Sequence, residues 1–382
     1  MTQPIRVLLL CDRLDIAGGV ERCVCALANH LARQGMAVAV GSVDTPRSRM
    51  RYPLDASVRV LTGAEARLRT GTAAVPASKL GRAWALLRTQ WRTGRALAQL
   101  IRVDRPDVVV LNGLTTACSV LALDRRIASR TICCDHNHFS ARSALWQRLR
   151  QWLYPKVGAL VSLTEADAPR FRALNPNTRV IYNSATLTAE APALPNDAWV
   201  LAVGRHVAQK GFDLLLQAWA IVAKSAPLAR LRIVGDGPLR AEHERMAHAL
   251  GVAGRVEWLD PTAQIERLYR QADVFVLSSR YEGMPLALLE AQALGVPAVA
   301  FDCPTGPGEI LTSQTGRLVP PGDVQAMAAA LVELLSTPDL RAQMGRAAIA
   351  RSRQVFSQQE HEARWTALVR EVAVKNTYGA AA

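Results

Sequence analysis

The chain has 382 residues, half of them hydrophobic, and a formal net charge of +14. That length favours two α/β domains of about 190 residues each, while the absence of any 18-residue uncharged apolar run and the brevity of the first apolar stretch argue against a transmembrane helix or a signal peptide. Seven cysteines without metal-ligand spacing read as reduced thiols, mostly small buried hydrophobes, in a cytoplasmic protein.

Ile5 to Cys11 is an apolar run that predicts a first strand, followed by a loop from Asp12 and a helix to about Arg33 that Gly35 ends. Between them Gly18 and Gly19 allow close backbone approach to a phosphate or substrate, although the pair lacks the spacing of a dinucleotide fingerprint. Residues 45–78, with Pro46, Pro53 and a Gly/Thr/Ala tract, predict a mobile loop region or an acceptor flap. From Lys79 to Arg102 a helical pattern interleaves Leu80, Trp84, Leu87 and Trp91 with Arg82, Arg88, Arg92 and Arg95, and 145–156 has the same character. Two readings fit these stretches: amphipathic helices for an anionic membrane surface, or apolar stripes on a core with arginines outside. The charge is lopsided. Residues 1–195 carry 27 Lys and Arg against 13 Asp and Glu, whereas the remainder is balanced, so an anionic partner would meet the N-terminal half.

Asp107 to Leu111 and Arg130 to Cys134 are further strands, the latter leading into Asp135-His136-Asn137-His138. Strands near Leu160 and Val180 complete the first domain, Asn183 marks the turn out of it, and 185–197 predicts a linker. The second half opens with the strand Trp199 to Val203, then Gly204, Arg205 and Lys210, then a helix. Two cations five apart after a strand suit a diphosphate clamp, and equally occur on ordinary surfaces. Ala272 to Leu277 predicts a buried strand that runs through Glu282 into a helix stopped at Gly295. Glu282 falls at the carboxyl end of that strand, where open α/β sheets bind ligands. Amides around Gly283, Met284 and Leu286 open the helix and suit an anion, while Glu290, two turns on, can accept from ribose hydroxyls. On spacing alone the two glutamates also fit an ordinary crossover.

The stretch Ser279-Arg280-Tyr281-Glu282-Gly283-Met284-Pro285-Leu286-Ala287-Leu288-Leu289-Glu290, with Asp302 to Pro307, Gly204-Arg205, Gln209 to Asp213 and Gly235 to Pro238, resembles glycosyltransferase family 4, retaining enzymes of the GT-B fold. The resemblance covers nearly the whole chain and is strongest from 199 to 320. It implies two Rossmann-like, doubly wound α/β domains facing each other across a cleft. Residues 1–184 would bind the acceptor, 185–197 link, 198–355 bind the nucleotide sugar, and 356–382 return as a helix to the first domain. It further implies Glu282 and His136 as the catalytic pair, with His138 as the alternative histidine. Gly19, Arg205, Lys210, Gly283, Met284 and Leu286 would serve the donor diphosphate and Glu290 the ribose. No Asp-x-Asp motif stands in the expected loop, so neither a metal nor a cofactor is expected. The implied activity is transfer of a sugar, most simply from a UDP-sugar, to a glycan or polyprenyl-diphosphate-linked acceptor of bacterial surface polysaccharide, by a cytoplasmic protein on the inner membrane face. Met284-Pro285 replaces the Phe-Gly of many members and removes one amide donor. Rival readings are a nucleotide-sugar epimerase of the same fold and a non-catalytic sugar-nucleotide-binding protein. A nucleic-acid partner is not expected, since no recognised module is present and aromatic residues make up only 5%.

Overall fold

The computed structural model describes residues 3–63 and 79–379. It forms two compact units, one of Met1–Ile181 with Glu362–Ala382 and the other of Tyr182–His361.

The first unit contains strands β1 (Arg6–Leu10), β2 (Ala37–Ser42), β3 (Arg59–Thr62), β4 (Val108–Asn112), β5 (Thr131–Cys134), β6 (Ala159–Ser162) and β7 (Thr178–Val180). Helices α1 (Gly19–Arg33), α2 (Lys79–Asp104), α3 (Leu114–Leu123), α4 (Ala144–Leu153) and α5 (Ala168–Leu174) lie between them. The sheet is parallel throughout, in the order β3-β2-β1-β4-β5-β6-β7. Its inner strands are apolar on both faces, as helices on both sides of a sheet demand. The region expected to be irregular includes β3, which pairs with β2 in register from Ala39–Arg59 to Ser42–Thr62. Four residues are too few to show a period, and the strand owes its existence to that pairing. The rest of the predicted flap, 64–78, lies outside the described residues.

The second unit holds β8 (Trp199–Val203), β9 (Arg230–Val234), β10 (Val256–Leu259), β11 (Val274–Leu277), β12 (Ala298–Phe301) and β13 (Gly316–Val319). Its helices are α6 (Phe212–Ser225), α7 (Arg240–Ala249), α8 (Ile265–Arg270), α9 (Leu286–Ala293), α10 (Pro307–Ile310), α11 (Val324–Ser336) and α12 (Pro338–Val355). The parallel order is β10-β9-β8-β11-β12-β13. One core face is filled by Phe212, Leu215, Trp219, Leu231, Ile233, Phe301 and Leu331, all buried. The segment predicted as a linker packs on this unit: Arg353 donates to the Ala189 carbonyl and Arg341 to Asn196 Oδ1, each at 2.8 Å.

The last helix, α13 (Gln358–Gly379), is counted with the first unit from Glu362 onward. His30 explains that docking. One ring nitrogen lies 2.8 Å from Thr366 Oγ1 and the other 3.1 Å from Glu362 Oε2. Arg179 and Glu371 add an ion pair at 3.2 Å.

In each sheet the strand order reverses once, between β1 and β4 and between β8 and β11. Loops diverge there at the carboxyl ends of the strands and leave a crevice. Arg205, Lys210, Glu282 and Glu290 lie on such loops or on the helices they open, as does Gly19 at the start of α1, whereas His136 and His138 follow β5, one strand away from the reversal.

Candidate active site

In the second unit, β8 leads through Gly204 and Arg205 to a single 3₁₀ turn, Ala208–Lys210, and then α6. The neighbouring β11 leads through Ser278 to Pro285 into α9. These two loops are stitched together. Ser278 Oγ donates to the Lys210 carbonyl at 2.9 Å, the Arg280 amide to the Gln209 carbonyl at 2.8 Å, and Gln209 Nε2 to the Tyr281 carbonyl at 3.0 Å. Gly211 makes the approach possible: its φ is +62°, and a Cβ there would stand 2.1 Å from the Ser278 carbonyl oxygen.

The stitching brings Lys210 Nζ to 2.6 Å from Glu282 Oε1, and Ser279 Oγ donates to the same oxygen at 2.6 Å. Glu282 is buried, and both bonds fall on Oε1, so Oε2 has no donor among the described residues. A third loop, after β12, holds the Glu282 backbone: its amide donates to the Pro304 carbonyl and its carbonyl accepts from Thr305. The amides of Gly283, Met284 and Leu286 meet no protein acceptor among the described residues. Arg205 is exposed, and among the described residues its guanidinium has no partner. Two cations and a row of open amides therefore belong to one pair of loops at the strand-order reversal. That is chemistry for an anion. Glu290, buried on α9, takes the Tyr269 hydroxyl on Oε2 at 3.1 Å.

Beside the clamp lies a pair the sequence did not suggest. His206 and His243 are both buried, with their Nδ1 atoms 2.9 Å apart, so one donates to the other. His206 also packs on Phe212 and Trp258, and burial, aided by His243 and Arg240, pushes its imidazole down to about 4.

The first unit carries a cavity of about 300 Å³ lined by residues after β1, β4 and β5. His136 and His138 both line it, so position alone does not separate the two candidates. Bonding does. His136 Nε2 lies 2.9 Å from Asn112 Oδ1, and Asn112 Nδ2 donates to the Leu10 carbonyl at 3.1 Å. Burial pushes His136 down to about 4 and lowers His138 as well, where Asp167 opposes the shift. Asp12, two residues beyond Leu10 at the end of β1, accepts from Thr116 Oγ1 at 2.6 Å, and burial raises its carboxyl. Asp135 anchors the same loop from below, held by Tyr154 at 2.7 Å and Arg150 at 3.3 Å. Gly19 is the exposed first residue of α1 in this unit; its neighbours Val20 and Glu21, not Gly19, line the cavity. Asp12 and Asn112 were missed in the sequence. The usable signal was a polar residue closing an apolar strand.

Among the described residues there is no cluster of three or more metal-ligating side chains, and no helix is long and apolar enough to cross a membrane.

Two family models match the chain: Glycosyltransferase Family 4 over residues 17–188 and Glycosyl transferases group 1 over 186–351. The amylovoran biosynthesis glycosyltransferase AmsD of Erwinia amylovora is 28% identical over 352 residues, covering 90% of this chain and 93% of its own. Among solved structures, sucrose-phosphate synthase from Thermosynechococcus elongatus matches with a TM-score of 0.81 at 20% identity, over 96% of this chain and 99% of its own. Anabaena HepE, in complex with UDP and glucose, matches with a TM-score of 0.75 at 21% identity, again over 96% and 99%. With one family model on each unit, and the folds of solved GT-B enzymes under both, the chain belongs to the family 4-like glycosyltransferases.

Proposed function

We propose that the protein is a retaining hexosyl- or N-acetylhexosaminyltransferase that moves a sugar from a UDP-sugar to a glycan or polyprenyl-diphosphate-linked acceptor in bacterial surface polysaccharide synthesis. The observation that carries this reading is the clamp in the second unit: Lys210 pinned on Glu282, beside Arg205 and three amides that have no partner among the described residues. UDP is favoured by the ligand of HepE, and a polysaccharide product by the role in AmsD's name. Two mannosyltransferase relatives are named as GDP-mannose-dependent, so a GDP-sugar is the second donor to test.

Arg205, Lys210 and the amides of Gly283, Met284 and Leu286 neutralise the charge that builds on the departing diphosphate, with no divalent ion demanded. Glu282 offers Oε2 to hydroxyls of the donor sugar and positions it. Glu290 accepts from the ribose. The acceptor hydroxyl oxygen bonds to the anomeric carbon on the face the diphosphate leaves, the carbon–oxygen bond to the diphosphate breaks, and the proton passes to the departing phosphate oxygen. Retention follows because attack and departure share a face. Gly19 is given to the donor diphosphate and His136 to the orientation of the sugar. The basic first unit rests on the anionic inner face of the membrane through Trp91, Leu145 and Trp152, each at least half exposed.

A donor screen tests the whole reading. Purified protein is given UDP- and GDP-sugars, a polyprenyl-diphosphate-linked acceptor and membranes, and released nucleotide, product mass and anomeric configuration are measured. Acceptor-dependent transfer with an α-linked product from an α-linked donor, lost in Glu282→Ala and Lys210→Ala, is the expected result. Failure of every nucleotide sugar to bind would sink it.

A further inference from the structure

Asn112 closes β4 in the middle of the first unit's sheet, with β1 on one side and β5 on the other. It is 5% exposed, and its short amide reaches both neighbours. Toward β1, Nδ2 lies 3.1 Å from the carbonyl oxygen of Leu10. Toward β5, Oδ1 lies 2.9 Å from His136 Nε2. The next residue, Gly113, ties the same strand ends together by donating its amide to the Cys134 carbonyl at 2.8 Å.

A backbone carbonyl only accepts hydrogen bonds, so the amide must present its NH₂ group to Leu10 and its oxygen to the imidazole. An amide oxygen likewise only accepts. The His136 nitrogen facing it must therefore carry the hydrogen. A neutral imidazole has one hydrogen, and burial holds this ring neutral at pH 7. Nδ1 is then left with its lone pair, it meets no protein donor among the described residues, and its ring lines the cavity.

We propose that Asn112 is a positioning residue that fixes His136 as the Nε2–H tautomer, so that Nδ1 accepts a hydrogen bond from a hydroxyl of the sugar or acceptor admitted to this cavity. The inference deepens the glycosyltransferase reading by giving His136 one polarity: it receives a hydroxyl proton in a hydrogen bond and cannot act there as a cation or donor. The order of command runs from the Leu10 carbonyl through Asn112 to the ring. Asp12, which also lines the cavity, is a second acceptor, so the pocket is furnished for the hydroxyl groups of a carbohydrate.

The direct test is imidazole ¹⁵N NMR on the full-length protein labelled at histidine, with the His136 signals identified by their loss in His136→Gln. At pH 7 the wild type should show a protonated Nε2 and a bare Nδ1. In a folded Asn112→Ala protein both tautomers should appear, with kcat reduced about tenfold and KM for the nucleotide sugar changed less than twofold. An Nδ1–H tautomer or an imidazolium in the wild type would overturn the proposal, whatever the variant does. An unchanged tautomer and unchanged kcat in folded Asn112→Ala would overturn it as well. The expected wild-type spectrum in a protein that transfers no sugar would support the tautomer assignment while removing the transferase reading, so the two stand or fall separately.

Discussion

Lys210 Nζ and Glu282 Oε1 lie 2.6 Å apart although 72 positions separate them in the chain, with Glu282 7% and Lys210 20% exposed at the side chain. The pair sets a cation against a carboxyl in a protected place, and that cation is the one the proposed diphosphate would recruit. Removing Lys210 leaves Glu282 buried and unpaired. Lys210→Met should cost about 1–3 kcal/mol of stability, below the range for fully buried pairs because the lysine reaches water. The double variant Lys210→Met/Glu282→Gln should recover most of that loss in thermal denaturation while remaining at least about 100-fold below wild type in kcat/KM. Recovery of activity along with stability would count against a role in transfer.

Arg205 gives the opposite pattern. Its guanidinium is exposed and has no partner among the described residues, so Arg205→Ala should leave thermal stability within about 0.5 kcal/mol of wild type. Loss of charge-assisted bonds to a diphosphate should weaken UDP or UDP-sugar binding about tenfold or more by calorimetry. Unchanged binding would remove Arg205 from the clamp.

The buried histidines predict an acid limb in stability. His206 lies near 4 in the folded state, below the ordinary value of 6.5, because burial penalises its charged form and His243 and Arg240 repel it. Glu244 and Asp236 oppose the shift without reversing it, and His243, itself lowered by burial, faces Asp213, Glu242 and Arg280. Between those two values the unfolded chain binds a proton that the folded chain refuses. Stability is therefore full above about pH 6.5 and falls as pH drops toward 4, by about 3 kcal/mol for His206 alone. His206→Phe should flatten this limb in denaturant titrations across pH 7 to 4.5, and an equally steep fall in the variant would assign the limb elsewhere.

A fourth expectation concerns the surface of the first unit. Trp91 on α2 and Trp152 on α4 are 50% and 55% exposed, each with an arginine over its ring, Arg95 and Arg125 respectively. Replacing both tryptophans with alanine should lower co-sedimentation with vesicles rich in anionic lipid about tenfold, without moving the thermal midpoint. Raising the salt should weaken the wild type in the same assay. Wild-type protein that ignores anionic vesicles would return these helices to the reading of a core-packed face with arginines outside.

Much of the site was legible because it obeys local rules. A buried apolar strand followed by polar residues and a helix announces the carboxyl edge of a doubly wound sheet, and the resemblance to glycosyltransferase family 4 then singled out Arg205, Lys210, Glu282 and His136. It stopped short of Asp12 and Asn112, single polar residues at strand ends that no spacing distinguishes from turn residues. It also overstated the irregularity of 45–63, since β3 exists only by pairing with β2. The segment 185–197 looked like a free linker because it lacks periodicity, whereas Arg341 and Arg353 of α12 hold it on the second unit.

By itself the sequence determined the alternation of strands and helices, the two units, and the strand ends on which chemistry would fall, because apolar periodicity, caps and right-handed crossovers are encoded within short windows. Only the tertiary structure decided which side chains meet: Lys210 with Glu282, His206 with His243, and Asn112 with both Leu10 and His136. Those partners lie on strand ends, loops and a helix that share nothing in sequence. They become neighbours because parallel strands distant in the chain end side by side, at the reversal of the order for Lys210 with Glu282 and Leu10 with Asn112, and one strand to the side of it for His136 and His243.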